Sequence, residues 1–149
     1  MYLKNSEKQI IVNTLTDEIP ELQALYLFGS QVDGTANSKS DVDIAYLSTV
    51  TLSSLERWKI AEKLASLLSL NVDLIALAET NTIFRYQILS TAERIYGEGY
   101  DVESFETLAY SFYLRFQEER KPIVDAIMEN RSVFGKTYTR SNTISFILL

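Results

Sequence analysis

The chain has 149 residues and a mass of 17.0 kDa, and 46% of its residues are apolar, so one compact domain with a buried core is expected. Fourteen basic residues stand against 20 acidic ones, and the net charge of −6 disfavours direct binding to nucleic acid, which requires a basic surface. The chain has no Cys and no His, which excludes disulfides, thiolate chemistry and histidine-based catalysis.

The first half of the chain alternates helix and strand patterns. Apolar residues at helical spacing predict a helix over residues 5–19, and Pro20 ends it. A nearly continuous apolar run predicts a buried strand over 22–28. The polar stretch 31–40 is typical of a loop, with one helical turn as an alternative start, and a second strand is expected over 41–47.

The second half is expected to be mostly helical. A capping box predicts a helix over residues 53–69, and a β-branched apolar run predicts a third strand over 72–78. A further helix is expected from residue 80 or 82 to about 94–96. The last long helix covers 101–130, and Pro122 should kink or divide it. Its aromatic residues are either core or a partner surface.

These elements predict an α/β fold with a small mixed sheet of three or slightly more strands, flanked by helices and followed by a C-terminal helical extension. We expect a single domain over residues 1–139, with a core at about 1–97 and a helical segment at about 98–139. Residues 140–149 form a tail of unassigned role. No signal-peptide pattern and no apolar run near the roughly 20 residues of a membrane span are present, so a soluble cytoplasmic protein without membrane contact is expected.

Two carboxylates lie two residues apart on the second predicted strand. Strand geometry places the side chains of Asp41 and Asp43 on the same face, close enough to share a metal ion. Like charges at that spacing raise each other's pKa, and a divalent cation keeps both carboxylates ionised. Oxygen ligands without His or Cys favour Mg²⁺.

A small turn precedes these carboxylates. Gly29 and Ser30 follow the first strand, where glycine allows close backbone approach and the exposed N–H groups with the Ser hydroxyl can hold phosphate. Lys39 in the polar loop either contacts phosphate or is solvated. Asp73 on the third strand reaches the same metals if that strand lies beside the second; otherwise it is an edge residue paired with a basic side chain. Three carboxylates and a phosphate site suit a two-metal in-line displacement.

Gly29-Ser30, a gap of ten residues, and Asp41-Val42-Asp43 together resemble the signature of the polymerase β-like nucleotidyltransferase superfamily. Val72-Asp73-Leu74 resembles the strand that carries the third carboxylate. The segment 84–96 resembles the helix after that strand in the MNT-domain antitoxins of HEPN/MNT toxin–antitoxin modules. The resemblance covers about residues 24–96, where it implies the minimal nucleotidyltransferase fold.

By this resemblance, Gly29 and Ser30 hold the triphosphate of ATP, Asp41 and Asp43 ligate Mg²⁺, and Asp73 acts as the third carboxylate or as a base towards the nucleophile. Members of this antitoxin group transfer AMP from ATP to a tyrosine hydroxyl of the partner HEPN ribonuclease toxin and thereby silence it. The resemblance therefore implies an antitoxin of a type VII-like module, a protein adenylyltransferase with a HEPN toxin as its partner.

Other functions remain open at this stage. A small-molecule nucleotidyltransferase of the aminoglycoside type usually carries a further acceptor-binding domain, for which this chain has little room. A non-catalytic module that neutralises the toxin by occlusion would have no need for three clustered acids. Arg85 either orients nucleotide or acceptor, or pairs with a nearby acid.

Overall fold

The computed structural model describes residues 3–34 and 40–133. Lys39 and the tail 140–149 lie outside these residues, so the predictions made for them stay predictions. Within the described residues the elements follow in the order α1 Asn5–Glu18, β1 Leu22–Phe28, α2 Ser30–Asp33, β2 Val42–Ser48, α3 Ser54–Leu68, β3 Val72–Ala76, a 3-10 turn Leu77–Glu79, α4 Thr82–Thr91, β4 Glu93–Tyr96 and α5 Tyr100–Val133.

The four strands form one mixed sheet in the order β3-β2-β1-β4. β2 and β3 are parallel, whereas β1 is antiparallel to both β2 and β4. This arrangement confirms the predicted mixed α/β fold. The prediction that this helix continues to residues 94–96 is wrong. α4 ends at Thr91, and residues 93–96 pair with β1 as a short edge strand.

Helices cover both faces of the sheet. The side chains of Val42, Ile44 and Tyr46 point to the face that packs on α1 and α3, where the larger part of the core lies. Ala45 and Leu47 point to the other face, where Ile88 of α4 and Val102 of α5 complete a second cluster of buried side chains, which also contains Ala24, Tyr26 and Leu77. Because side chains alternate along a strand, Asp43 belongs to this second face.

The helix starts follow from local chemistry. The Ser53 hydroxyl accepts a hydrogen bond from the backbone N–H of Glu56 at 3.1 Å and begins α3 as the capping box predicted. For α4, Asn81 supplies the cap, since its side-chain oxygen accepts a hydrogen bond from the backbone N–H of Phe84 at 2.8 Å.

α5 continues through Pro122 as one helix of 34 residues. Proline removes the hydrogen bond to the carbonyl four residues earlier, that of Glu118. Both residues are exposed, so water can hydrate that carbonyl, and the expected division does not occur. Of its aromatic face, Phe105 packs on the core whereas Phe112 is 45% exposed. No helix among the described residues has the length and apolar character needed to cross a membrane.

Candidate active site

The end of β1 and the start of β2 meet at the predicted turn. Phe28, the last residue of β1, is the Cα partner of Asp43, and Gly29 follows at once. Gly29 has φ +72°, in the left-handed region that favours glycine. A Cβ placed on Gly29 would lie 2.3 Å from Oδ2 of Asp43. Two features therefore require glycine at position 29. The backbone has a positive φ, and the Asp43 carboxylate occupies the place where a Cβ would lie.

Asp73 reaches the same place from the neighbouring strand. In the parallel pairing of β2 with β3, Asp43 and Asp73 are direct Cα partners, so their side chains share one face of the sheet. Asp43 is half-buried, whereas Asp41 and Asp73 are exposed. The structure thus brings Gly29, Asp43 and Asp73 together across three adjacent strands.

The three carboxylates interact electrostatically. Burial, followed by the charges of Asp73 and then Asp41, raises the pKa of Asp43 to about 6. An arrangement that opposes ionisation of a carboxylate favours a divalent cation, which removes the repulsion. Among the described residues no three acidic side chains already form a closed metal-binding group. Mg²⁺ prefers carboxylate oxygens as ligands, so the residue types of this donor set fit the ion.

Ser30 begins α2 directly beside Gly29 and is half-buried. The turn is closed by a hydrogen bond of 3.1 Å from the N–H of Val32 to the carbonyl of Gly29. Ser30 therefore stands just after the end of β1, one residue beyond Gly29. Its contact with a triphosphate stays a prediction.

Sequence reasoning missed Gln31. Its side chain is fully buried, and neither atom of its amide has a hydrogen-bond partner among the described residues. A buried polar group without a partner is unfavourable by about 1–3 kcal/mol. No sequence signal separates Gln31 from the polar residues that follow it, because burial of a polar side chain depends on the packing of α2.

Arg85 has a role that the sequence left open. Its guanidinium donates to the backbone carbonyls of Leu77 at 3.2 Å, Ala78 at 2.9 Å and Thr80 at 2.7 Å. It also lies 5.5 Å from the ring centre of Phe105. Arg85 therefore fixes the turn that follows β3, and it forms no ion pair with an acidic residue of the described ranges.

An aromatic pair borders the site on the α4 side. The ring of Phe84 meets that of Phe28 edge to face, with 6.4 Å between ring centres, and Phe84 is 36% exposed. Since Phe28 is the Cα partner of Asp43, these rings form an apolar wall beside the carboxylates.

The chain is similar to known proteins in sequence and in fold. Residues 9–100 match the family described as Polymerase beta, Nucleotidyltransferase. Over 120 residues the chain is 41% identical to the protein adenylyltransferase MntA of Shewanella oneidensis. The aligned region covers 80% of this chain and 86% of that protein.

Two solved structures extend the likeness to the whole fold. A chain in a crystal structure of a toxin–antitoxin with AMP-PNP is 40% identical, with a TM-score of 0.73, over 81% of this chain and 98% of that one. A chain in the structure of tri-AMPylated Shewanella oneidensis HEPN toxin in complex with MNT antitoxin is 36% identical, with a TM-score of 0.70, over 85% of this chain and 99% of that one. The chain belongs to the polymerase β nucleotidyltransferase family.

Proposed function

We propose that this chain is a protein adenylyltransferase that transfers AMP from ATP to a tyrosine hydroxyl of a partner HEPN ribonuclease toxin, and so acts as an antitoxin. The observation that carries the proposal is the convergence of Gly29, Asp43 and Asp73 across three strands. The 41% identity to an adenylyltransferase and the similarity to a complex of HEPN toxin with MNT antitoxin support the acceptor and the partner.

The nucleotide lies beside the turn after β1 in this proposal. The backbone N–H groups of the turn at Gly29 and the hydroxyl of Ser30 donate to phosphate oxygens. Lys39 adds a positive charge from the loop. The similarity to a structure with AMP-PNP supports ATP as the co-substrate.

Asp41, Asp43 and Asp73 are the proposed ligands of two Mg²⁺ ions. When bound, Mg²⁺ supplies Lewis acidity and charge neutralisation at the phosphoryl group that is transferred. The coupling of the three carboxylates, which opposes ionisation of Asp43, supports this assignment.

In the proposed reaction, the tyrosine oxygen attacks the α-phosphorus of ATP. A new oxygen–phosphorus bond forms, the bond from the α-phosphorus to the bridging oxygen of pyrophosphate breaks, and pyrophosphate leaves. Asp73, exposed at the edge of the sheet, accepts the hydroxyl proton. Gly29 and Ser30 hold the phosphates in line for the displacement.

The extent of the domain and its location belong to the proposal as well. A single domain over residues 1–139 with a core at about 1–97 is supported by the family match over 9–100. We place the reaction in the cytoplasm because the co-substrate ATP is available there.

Intact-mass spectrometry of the toxin tests the proposal. The toxin is incubated with this chain, ATP and Mg²⁺, beside the Asp41→Asn/Asp43→Asn variant and a matched Asp17→Asn/Asp101→Asn control, which changes two exposed carboxylates elsewhere. We expect AMP increments on the toxin with the wild type and the control, and none with the site variant. A stable complex that adds no AMP with the wild type would refute transfer and indicate occlusion.

A further inference from the structure

β3 lies at one edge of the sheet. It pairs with β2 on one side, in parallel from Val42 with Val72 to Tyr46 with Ala76, and within residues 3–34 and 40–133 no strand pairs with its other side. The outer side of an edge strand presents backbone N–H and carbonyl groups that can accept a further strand. Asp73, the proposed third carboxylate, is part of this edge.

A cleft of about 340 Å³ follows β3. It is lined by Asp73, Leu74, Ile75 and Ala76 of the strand, by Arg57 of α3, and by Glu79 and Thr80 beyond the strand. Successive side chains of a strand point to opposite faces of the sheet. A cleft that touches four successive residues therefore runs along the edge of the strand and not over one of its faces.

The two ends of the cleft differ in chemistry. At one end Asp73 connects the cleft with the candidate active site, since its Cα partner is Asp43. At the other end Arg57 and Glu79 form an ion pair of 3.1 Å, with side chains 27% and 49% exposed. Charged side chains at an edge oppose random strand pairing, so this end limits what enters the cleft.

We propose that the acceptor segment of the toxin binds in this cleft as an extended strand along β3, with its tyrosine beside Asp73; this inference rests on the proposed adenylyltransferase function. A strand added to β3 lies about 4.8 Å from it. A residue opposite Asp73 then directs its side chain to the face of the sheet that carries Asp43 and Asp73. Main-chain hydrogen bonds hold the segment, and the register delivers the hydroxyl to the carboxylates.

A bulky label in the cleft separates this inference from its alternatives. The chain has no native Cys, so Glu79→Cys provides a unique attachment point at the far end of the cleft. Glu98→Cys is the matched control: the same exposed residue type, in a different cavity near the start of β1, at the opposite end of that strand from Gly29. Each variant is assayed unmodified and after reaction with a biotin–polyethylene glycol maleimide, with AMP transfer to the full-length toxin as the readout.

We expect the label on Glu79→Cys to lower the rate of AMP transfer by about tenfold or more, because it displaces the acceptor segment. Binding of a fluorescent ATP analogue should be unchanged, and the label on Glu98→Cys should change transfer by less than about twofold. The unmodified Glu79→Cys variant accounts for the loss of the ion pair with Arg57.

A second measurement maps the occupant directly. A benzophenone attached to Glu79→Cys should cross-link to toxin residues several positions away from the acceptor tyrosine in sequence, since Glu79 lies at the other end of the cleft from Asp73. Cross-links elsewhere on the toxin, or transfer that the label leaves within about twofold, would overturn the inference while AMP transfer by the wild type still supports the enzyme. Absence of transfer by the wild type would instead refute the proposed function.

Discussion

The two faces of β2 differ in burial at the start of the strand, although their residues alternate along one segment of chain. Ile44 is fully buried against α1 and α3, while Asp43, its neighbour in sequence, lies half-buried on the face that α4 and α5 cover. Farther along that second face, Ala45 and Leu47 are buried again. The cover by α4 and α5 therefore ends before the start of the strand. As a result, Ile44 contributes to the core, whereas its neighbour Asp43 belongs to the candidate site.

Asp43→Asn should give the largest effect on function. We expect AMP transfer to fall by about a thousandfold, because an amide cannot supply a negatively charged metal ligand. The protein should stay folded, since the residue contributes no apolar burial. Rates of AMP incorporation and thermal unfolding measured side by side check both statements; a variant that transfers AMP at the wild-type rate would remove Asp43 from the site.

Ile44→Ala should give the opposite result one residue later. Loss of a fully buried side chain should lower the free energy of unfolding by about 2–5 kcal/mol. Transfer per folded molecule should stay within about twofold of the wild type. Urea unfolding together with activity below the transition measures the two quantities, and a specific loss of activity in fully folded protein would contradict the separation of the two faces.

Gly29→Ala sharpens the comparison at the turn. It places a methyl group 2.3 Å from Oδ2 of Asp43 at φ +72°, so we expect AMP transfer to fall by about tenfold to a hundredfold. Gly34→Ala is the matched control, because Gly34 also has a positive φ of +87° but a Cβ there meets nothing within 4 Å. Equal losses in both variants would attribute the effect to backbone strain alone.

The pH dependence of stability gives the smallest effect. Because the pKa of Asp43 is raised to about 6 in the folded state, the wild type binds a proton there more readily than the unfolded chain does. The contribution of Asp43 to the free energy of unfolding is therefore greatest below the ordinary pKa of Asp and falls as the pH rises through 6. In EDTA, Asp43→Asn should melt at a higher temperature than the wild type above pH 6, and this difference should vanish below about pH 4.

The strands of the candidate site could be predicted because their signals are local. β1, β2 and β3 are apolar runs bounded by turn residues, and the spacing from Gly29 to Asp43 is visible in the sequence. The sequence does not establish that β3 lies beside β2, and the role of Asp73 depends on that pairing. The structure confirms the pairing.

Elements defined by distant contacts could not be predicted. β4 has only four residues and exists because it pairs with β1, so its sequence alone also suited the end of a helix. Arg85 donates hydrogen bonds to backbone carbonyls, and because every residue has such a carbonyl, no sequence pattern predicts this interaction. The short helix α2 confirms the helical turn given as an alternative at the start of the polar stretch, but the burial of its Gln31 side chain depends on tertiary packing.

The length of α5 gives this protein two parts that selection can change independently. At 1.5 Å per residue its 34 residues extend over about 51 Å, yet its last fully buried side chain in the described structure is Ala109. Substitutions in the outer turns leave the sheet and its carboxylates untouched. The sequence of the outer helix can therefore change without altering the packing that holds Asp43 and Asp73 in place.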